Sequence, residues 1–141
     1  MVHQEDRVLL GIKKRGFGMG KWNGFGGKVN EGETIEEATK RELFEEAEIT
    51  VGNIEKLGLL EFSWAGKEGV LEVNIFKAVD FEGIPTETEE MRPEWFFIKD
   101  IPYDKMWADD KYWLPLFLER KKFSGKVLFD EQNAILEHTI N

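Results

Sequence analysis

Three glutamates carry the first chemical signal in the sequence. In Arg41-Glu42-Leu43-Phe44-Glu45-Glu46, Glu42 precedes Glu45 by three positions and Glu46 by four. On a helix those spacings put side chains on neighbouring turns of one face, where like charges repel by a few tenths of a kcal/mol per pair. A divalent cation between them would turn repulsion into attraction. Mg²⁺, with Mn²⁺ as a substitute, is a hard ion that accepts a few carboxylates while keeping water and substrate phosphates. Arg41 is spaced to reach Glu37 and Glu45 and to hold a carboxylate in position. In a chain with 28 Asp and Glu, a solvated acidic face is the plainer explanation of Glu45-Glu46 alone.

A second signal lies upstream. From Val8 to Asn30 there is no Asp or Glu, yet Lys13, Lys14, Arg15, Lys21 and Lys28 interleave with Gly16, Gly18, Gly20, Gly24, Gly26 and Gly27. Basic side chains beside glycine backbone can meet a polyphosphate that the protein's overall field would repel. Lys13 and Lys28 are read as phosphate contacts, whereas Lys14 and Arg15 fit a solvated strand end equally well. The glycine spacing is not that of a P-loop, and the Lys-Ser/Thr ending is missing.

These residues need elements to position them. Thr34 and Glu37 have the spacing of a capping box, which predicts a helix from Thr34 to about Ala47. Arg7 to Lys13 reads as a strand and the glycine-rich stretch 15–27 as a loop. Ile54 to Trp64 and Val70 to Phe81 read as strands joined by a hairpin at 65–69, and Trp95 to Ile98 as a short strand. Asp110 is read as the cap of a second helix, Lys111 to about Lys122, short or kinked because Pro115 lies inside it. A last hairpin joins Gly125–Phe129 to Ala134–Ile140. Two helices and about six strands make a mixed α/β domain.

Composition narrows the partners. The 141 residues fit a single domain, 1–141, and 41% hydrophobic content with 11 Phe and 5 Trp supplies a core. A net charge of −9 argues against a nucleic-acid polymer as partner. The lack of cysteine excludes disulfides and zinc–thiolate sites, and His3 and His138 lie near opposite ends, which argues against a His-rich site. No apolar run spans a bilayer, so no membrane partner is expected, and the polar start, Met1 to Arg7, is unlike a signal peptide. The expectation is a cytoplasmic monomer acting on a small molecule.

Taken together, Gly27, Glu33, Arg41, Glu42, Glu45 and Glu46 follow the pattern G-x5-E-x7-R-E-x2-E-E. This resembles the signature of the Nudix hydrolases. The resemblance implies an α/β/α sandwich with a mixed sheet and two main helices, and hydrolysis of a nucleoside diphosphate linked to a further group. It implies a metal held by Glu42, Glu45 and Glu46, with the carbonyl of Gly26 as an added ligand. Glu46 is the first choice to orient or deprotonate the attacking water, Glu45 and Glu90 are alternatives, and Arg41 and Lys28 support. One position departs from the pattern: the family's usual helix-ending glycine is replaced by Glu48, which costs roughly 1 kcal/mol if the backbone there is left-handed.

Further stretches resemble the MutT-type branch that acts on oxidised purine nucleoside triphosphates such as 8-oxo-dGTP and 2-hydroxy-dATP. They are Lys13–Gly18, Lys21–Val29, Glu89–Pro93 and Met106–Asp110. The resemblance implies a nucleotide substrate, release of pyrophosphate to leave the monophosphate, and a role in cleaning the nucleotide pool. By it, Asn23 hydrogen-bonds the base, Trp107 stacks on it, Asp109 and Asp110 read its edge, and Phe62 and Trp64 line the pocket. The backbone at Gly26 and Gly27 and the aromatic ring of Phe25 join the binding set, and Glu90 is a further metal-site or catalytic carboxylate. Adjacent carboxylates in a partly dry pocket do not both ionise easily, so either Asp109 or Asp110 is expected to be protonated at neutral pH. The branch begins with a further strand, of which Met1 to Gln4 is only the end, so a truncated or more open pocket is expected. The rival readings are a Nudix hydrolase for an ordinary dNTP or a dinucleoside polyphosphate, and a catalytically silent nucleotide sensor.

Overall fold

The chain runs in the order β1 (His3–Gln4), β2 (Arg7–Lys13), β3 (Trp22–Asn23), α1 (Ile35–Ala47), β4 (Glu55–Trp64), β5 (Leu71–Lys77), β6 (Met91–Phe97), α2 (Asp110–Leu118), β7 (Phe123–Phe129) and β8 (Ile135–Ile140). The structure is a computed structural model and describes residues 1–141. Its contacts form two units, Met1–Glu55 with Lys77–Met106 and Lys56–Phe76 with Trp107–Asn141.

In the first unit, β2 is the strand on which the others depend. Its Val8, Leu9 and Leu10 are fully buried. β6 pairs antiparallel along all of it, from Arg7 opposite Phe97 to Lys13 opposite Met91. β1 and β3 add short antiparallel pairings at its two ends, His3 opposite Val8 and Gly11 opposite Asn23. The leading strand is thus two residues long, and Val2 also bridges Ala78. β6 begins at Met91 rather than at Trp95 as expected. Pro93 hid its start, yet a proline is admissible here because β6 pairs only with β2 and is an edge strand. β3 lies inside the stretch read as loop, and two residues are too few to show a period.

Helix α1 starts as the capping box requires. Glu37 N–H donates to Thr34 Oγ1 (3.1 Å), and Thr34 N–H donates to Glu37 Oε1 (3.0 Å). Leu43 and Ala47 bury one face against Leu9, Ile49 and Val51. The helix ends at Glu48, whose φ of 59° is left-handed and whose N–H donates to the Phe44 carbonyl at 2.8 Å.

The second unit holds a sheet in the order β5-β4-β7-β8. β4 and β7 are parallel, Gly58 opposite Phe123 through Trp64 opposite Phe129, and β7 and β8 form the expected hairpin. Asp130 Oδ1 closes its turn by accepting from the N–H groups of Gln132 and Ala134. α2 stacks Trp113 on Phe123, with centroids 5.5 Å apart. It stops at Leu118, short of the expected Lys122, because Arg120 turns left-handed at φ 58°. Its cap position is Asp109, without a side-chain capping bond, and Asp110 is the first helical residue rather than the cap. No helix is long and apolar enough to cross a membrane.

Glu48→Gly removes the left-handed penalty at the end of α1, partly offset by the entropy of a freer unfolded chain. Urea unfolding should show a gain of about 0.5–1 kcal/mol, with an unchanged slope against denaturant.

Candidate active site

The last turns of α1 carry two different carboxylate environments. Glu46 is 4% exposed, and its Oε1 accepts the N–H of Gly26 at 2.8 Å. Burial pushes its carboxyl up to about 7; the Gly26 N–H and the charge of Lys13 oppose the rise, while Glu42 and Glu90 add to it. Glu42 and Glu45 instead share Arg41, whose Nη1 donates to Glu42 Oε1 at 2.7 Å and to Glu45 Oε2 at 3.1 Å. Their side chains are 18% and 55% exposed, so Glu45 faces the most water.

Arg41 is the tie-point of this region. Its Nε and Nη2 grip the two oxygens of Glu33 at 2.7 and 3.0 Å, and Nη2 also reaches the Lys28 carbonyl at 2.9 Å. The pairing with Glu37 expected from spacing does not form, since that carboxylate is committed to the N-terminus of α1. Glu33 takes its place from outside the helix, with its carboxyl held below the usual range by Arg41 and by the Asn30 N–H. The Lys28 side chain is exposed, and its carbonyl is what the network uses.

Glu90 sits just before β6. Arg15 Nε donates to its Oε1 at 2.9 Å and Nη2 reaches the same oxygen, holding the carboxyl below its ordinary value. Lys14 Nζ binds Glu87 at 2.6 Å and the Thr88 carbonyl at 2.9 Å. The structure therefore pairs both basic residues whose role the sequence left open with the acidic segment 87–90. Asn23, in β3, accepts the Gly24 N–H on its Oδ1 at 2.8 Å. Phe25 packs into the core of the first unit.

In the second unit, Phe62, Trp64 and Trp107 gather around buried Phe129, with centroid distances of 5.7, 5.4 and 5.7 Å. Trp64 Nε1–H donates to Asn133 Oδ1 at 2.8 Å, which fixes its ring. Asp109 and Asp110 are both buried at the start of α2. Burial raises the Asp109 carboxyl, opposed by the Trp113 Nε1–H, 2.7 Å from Oδ2, and by a hydrogen bond shared with the Asp110 side chain.

The NUDIX domain family matches residues 1–117. The chain belongs to the Nudix family. It is 52% identical to "Oxidized purine nucleoside triphosphate hydrolase" of Danio rerio over 141 residues, covering 100% of this chain and 90% of that protein. It is 51% identical to the Mus musculus protein of the same name, covering 99% of this chain and 90% of that one. The crystal structure of the mMutator MutT protein from Bacillus halodurans is similar at a TM-score of 0.88 and 30% identity, over 99% of this chain and 93% of that one. The mixed α/β fold of this chain is therefore the Nudix fold.

Nudix hydrolases generally need a divalent metal, and the donors here suit a hard one. Carboxylate oxygens of Glu42 and Glu46 lie on adjacent turns beside the backbone at Gly26 and Gly27. A Cβ on Gly27 would sit 2.5–2.7 Å from the Glu42 carboxyl, so only glycine admits that carboxylate against the loop. The acidic side chains are not gathered into a closed group of three; Arg41 spans Glu42 and Glu45, and Gly26 holds Glu46.

Sequence reasoning missed Arg15 as the partner of Glu90, and Thr88, whose hydroxyl contacts the Glu46 carbonyl. A basic residue at a strand end gives no sign of a partner far along the chain, and nothing around Thr88 marks it out.

The elevated Glu46 carboxyl has a consequence for stability. The folded chain holds that proton up to about pH 7, whereas the unfolded value is 4.5. Between these pH values the folded state binds more protons than the unfolded state, so stability falls as pH rises. In chelator at pH 8, Glu46→Gln should stabilise the protein by up to roughly 3 kcal/mol and flatten its stability between pH 4.5 and 7, read by thermal unfolding.

Proposed function

We propose that the chain hydrolyses oxidised purine nucleoside triphosphates, such as 8-oxo-dGTP and 2-hydroxy-dATP, to the monophosphate and pyrophosphate. It would act in the cytoplasm as a monomer that clears damaged precursors from the nucleotide pool. The observation that carries the chemistry is buried Glu46, held by the Gly26 N–H at 2.8 Å and set among the charges of Glu42, Glu90 and Lys13. The substrate class is supported by the likeness to two proteins named for that activity. The family match across 1–117 takes in residues of both units and supports one functional domain.

Mg²⁺, or Mn²⁺ in its place, would be held by Glu42, Glu45, Glu46 and the Gly26 carbonyl, with Glu90 beside them, and would supply Lewis acidity toward phosphate oxygens and a bound water. The chain's own groups do the rest. Buried Glu46, fixed by the Gly26 N–H, takes the proton of the attacking water, with Glu45 and Glu90 as the alternative bases. Lys13, Lys28 and the open backbone at Gly26 and Gly27 receive phosphate oxygens. Arg41 keeps Glu42 and Glu45 in place.

Base recognition is assigned to Asn23, Trp107, Asp109 and Asp110, with Phe62 and Trp64 as apolar wall and Phe25 supporting from the core. The raised Asp109 carboxyl, bonded to Asp110, supports one shared proton between the two acids. Such a pair presents a donor and an acceptor side by side, which suits the altered edge of an oxidised purine.

The decisive test is a turnover panel of 8-oxo-dGTP, 2-hydroxy-dATP, dGTP and ATP with Mg²⁺, read by pyrophosphate release. The oxidised purines should lead. Glu46→Gln should stay folded and lose about 10²-fold or more in kcat. Asp109→Asn or Asp110→Asn should erode the preference for oxidised over normal base. Equal turnover of all four nucleotides would defeat the assignment of substrate, and near-normal kcat in Glu46→Gln would remove Glu46 from the chemistry.

A further inference from the structure

We propose that Thr88 is a positioning residue that sets Glu90 in register with Glu46. The inference rests on the roles proposed above for those two carboxylates. Thr88 Oγ1 donates to the Glu46 carbonyl at 3.0 Å. The same oxygen accepts the N–H groups of Glu90 and Met91, each at 3.3 Å, and Thr88 N–H donates to the Met91 carbonyl at 2.9 Å. One half-buried hydroxyl thus touches the main chain of both carboxylate-bearing residues.

The Glu46 carbonyl lies in the last turn of α1, where carbonyls lack partners within the helix. A side-chain donor there satisfies the helix end and joins it to the 88–91 turn. The other side of that turn is tied to β2, since Lys14 N–H donates to the Glu90 carbonyl at 2.9 Å and Lys14 Nζ to the Thr88 carbonyl at 2.9 Å. Lys14 thus fixes the turn against the sheet, and Thr88 fixes it against the helix. The Thr86 N–H, 2.9 Å from the Ala47 carbonyl, also ties this segment to the end of α1, but Thr88 alone of the two touches the main chain of Glu46 and of Glu90 themselves. Small errors in the spacing of those two residues are costly, because misplacing a catalytic group by about 1 Å can lose on the order of 10²-fold in rate.

The test compares Thr88→Val, which keeps shape and loses the hydroxyl, with Thr88→Ser, which keeps the hydroxyl. Thr86→Val is the control, as its hydroxyl turns to the Ile84 carbonyl at 2.6 Å. Pyrophosphate release gives kcat and KM, and electron paramagnetic resonance of Mn²⁺, the metal alone, gives metal affinity. Thr88→Val should lower kcat about 10-fold with KM within about 2-fold, and should weaken Mn²⁺ binding by about 10-fold. Thr88→Ser should recover most of both, and Thr86→Val should match the wild type. In the wild-type chain the Glu90 and Met91 amides should exchange slowly with solvent.

Full kcat and Mn²⁺ affinity in Thr88→Val would overturn the proposal, as would Thr88→Ser failing alongside it. Rapid exchange of those two amides in the wild type would overturn it even if the valine variant did not fold. A wild-type chain that releases no pyrophosphate would sink the functional reading instead, and Mn²⁺ binding and amide exchange would still decide the role of Thr88.

Discussion

Burying a carboxylate costs free energy unless hydrogen bonds or opposite charge offset it, and this chain places one at the C-terminal end of a helix. The helix dipole there carries partial negative charge, so it adds to the cost. The Glu46 carboxylate accepts a hydrogen bond from the Gly26 main chain and lies within the fields of two further acids. The surrounding architecture offsets that one unfavourable placement. β2 and β6 form the floor, the glycine loop lends an N–H, and the capping box secures the far end of α1. A group held at this cost is poised for proton traffic or for a cation, and both follow from its electrostatics.

What the sequence made legible was local. The capping box predicted the start of α1 because Thr34 and Glu37 satisfy each other within one turn. The β2 boundaries and the β7–β8 hairpin followed from short-range patterning. The left-handed end of α1 was also foreseeable, since Glu48 stands where a glycine is customary, and the backbone there does adopt φ 59°. The carboxylates could be named from spacing, while their inequality could not. Glu42 and Glu45 are charges shared with an arginine, and Glu46 is buried.

The features that stayed hidden depend on contacts between distant segments. The exchange of Glu37 for Glu33 as a partner of Arg41 is one example. Helical spacing pointed to Glu37, the N-terminal demand of α1 removed it, and Glu33 reaches Arg41 from the loop before the helix. The pairing of Arg15 with Glu90 is another, because the register of β2 against β6 brings together residues that no local pattern connects. Phe25 shows the same limit from the other side. Its place between Asn23 and the glycines suggested a ligand contact, and packing against β2 drew it into the core.

The guanidinium of Arg41 spreads its donors over three acids and one carbonyl. A planar fork of five N–H groups can divide its bonds in this way, whereas an ammonium is a compact point charge. If an ion drew Glu42 and Glu45 toward itself, the two-pronged hold on Glu33 would remain. The residue therefore resembles a mooring with separate lines: those facing the cation can slacken while those to the loop stay taut, so loading and unloading need not unravel the strand of chain that carries the glycines.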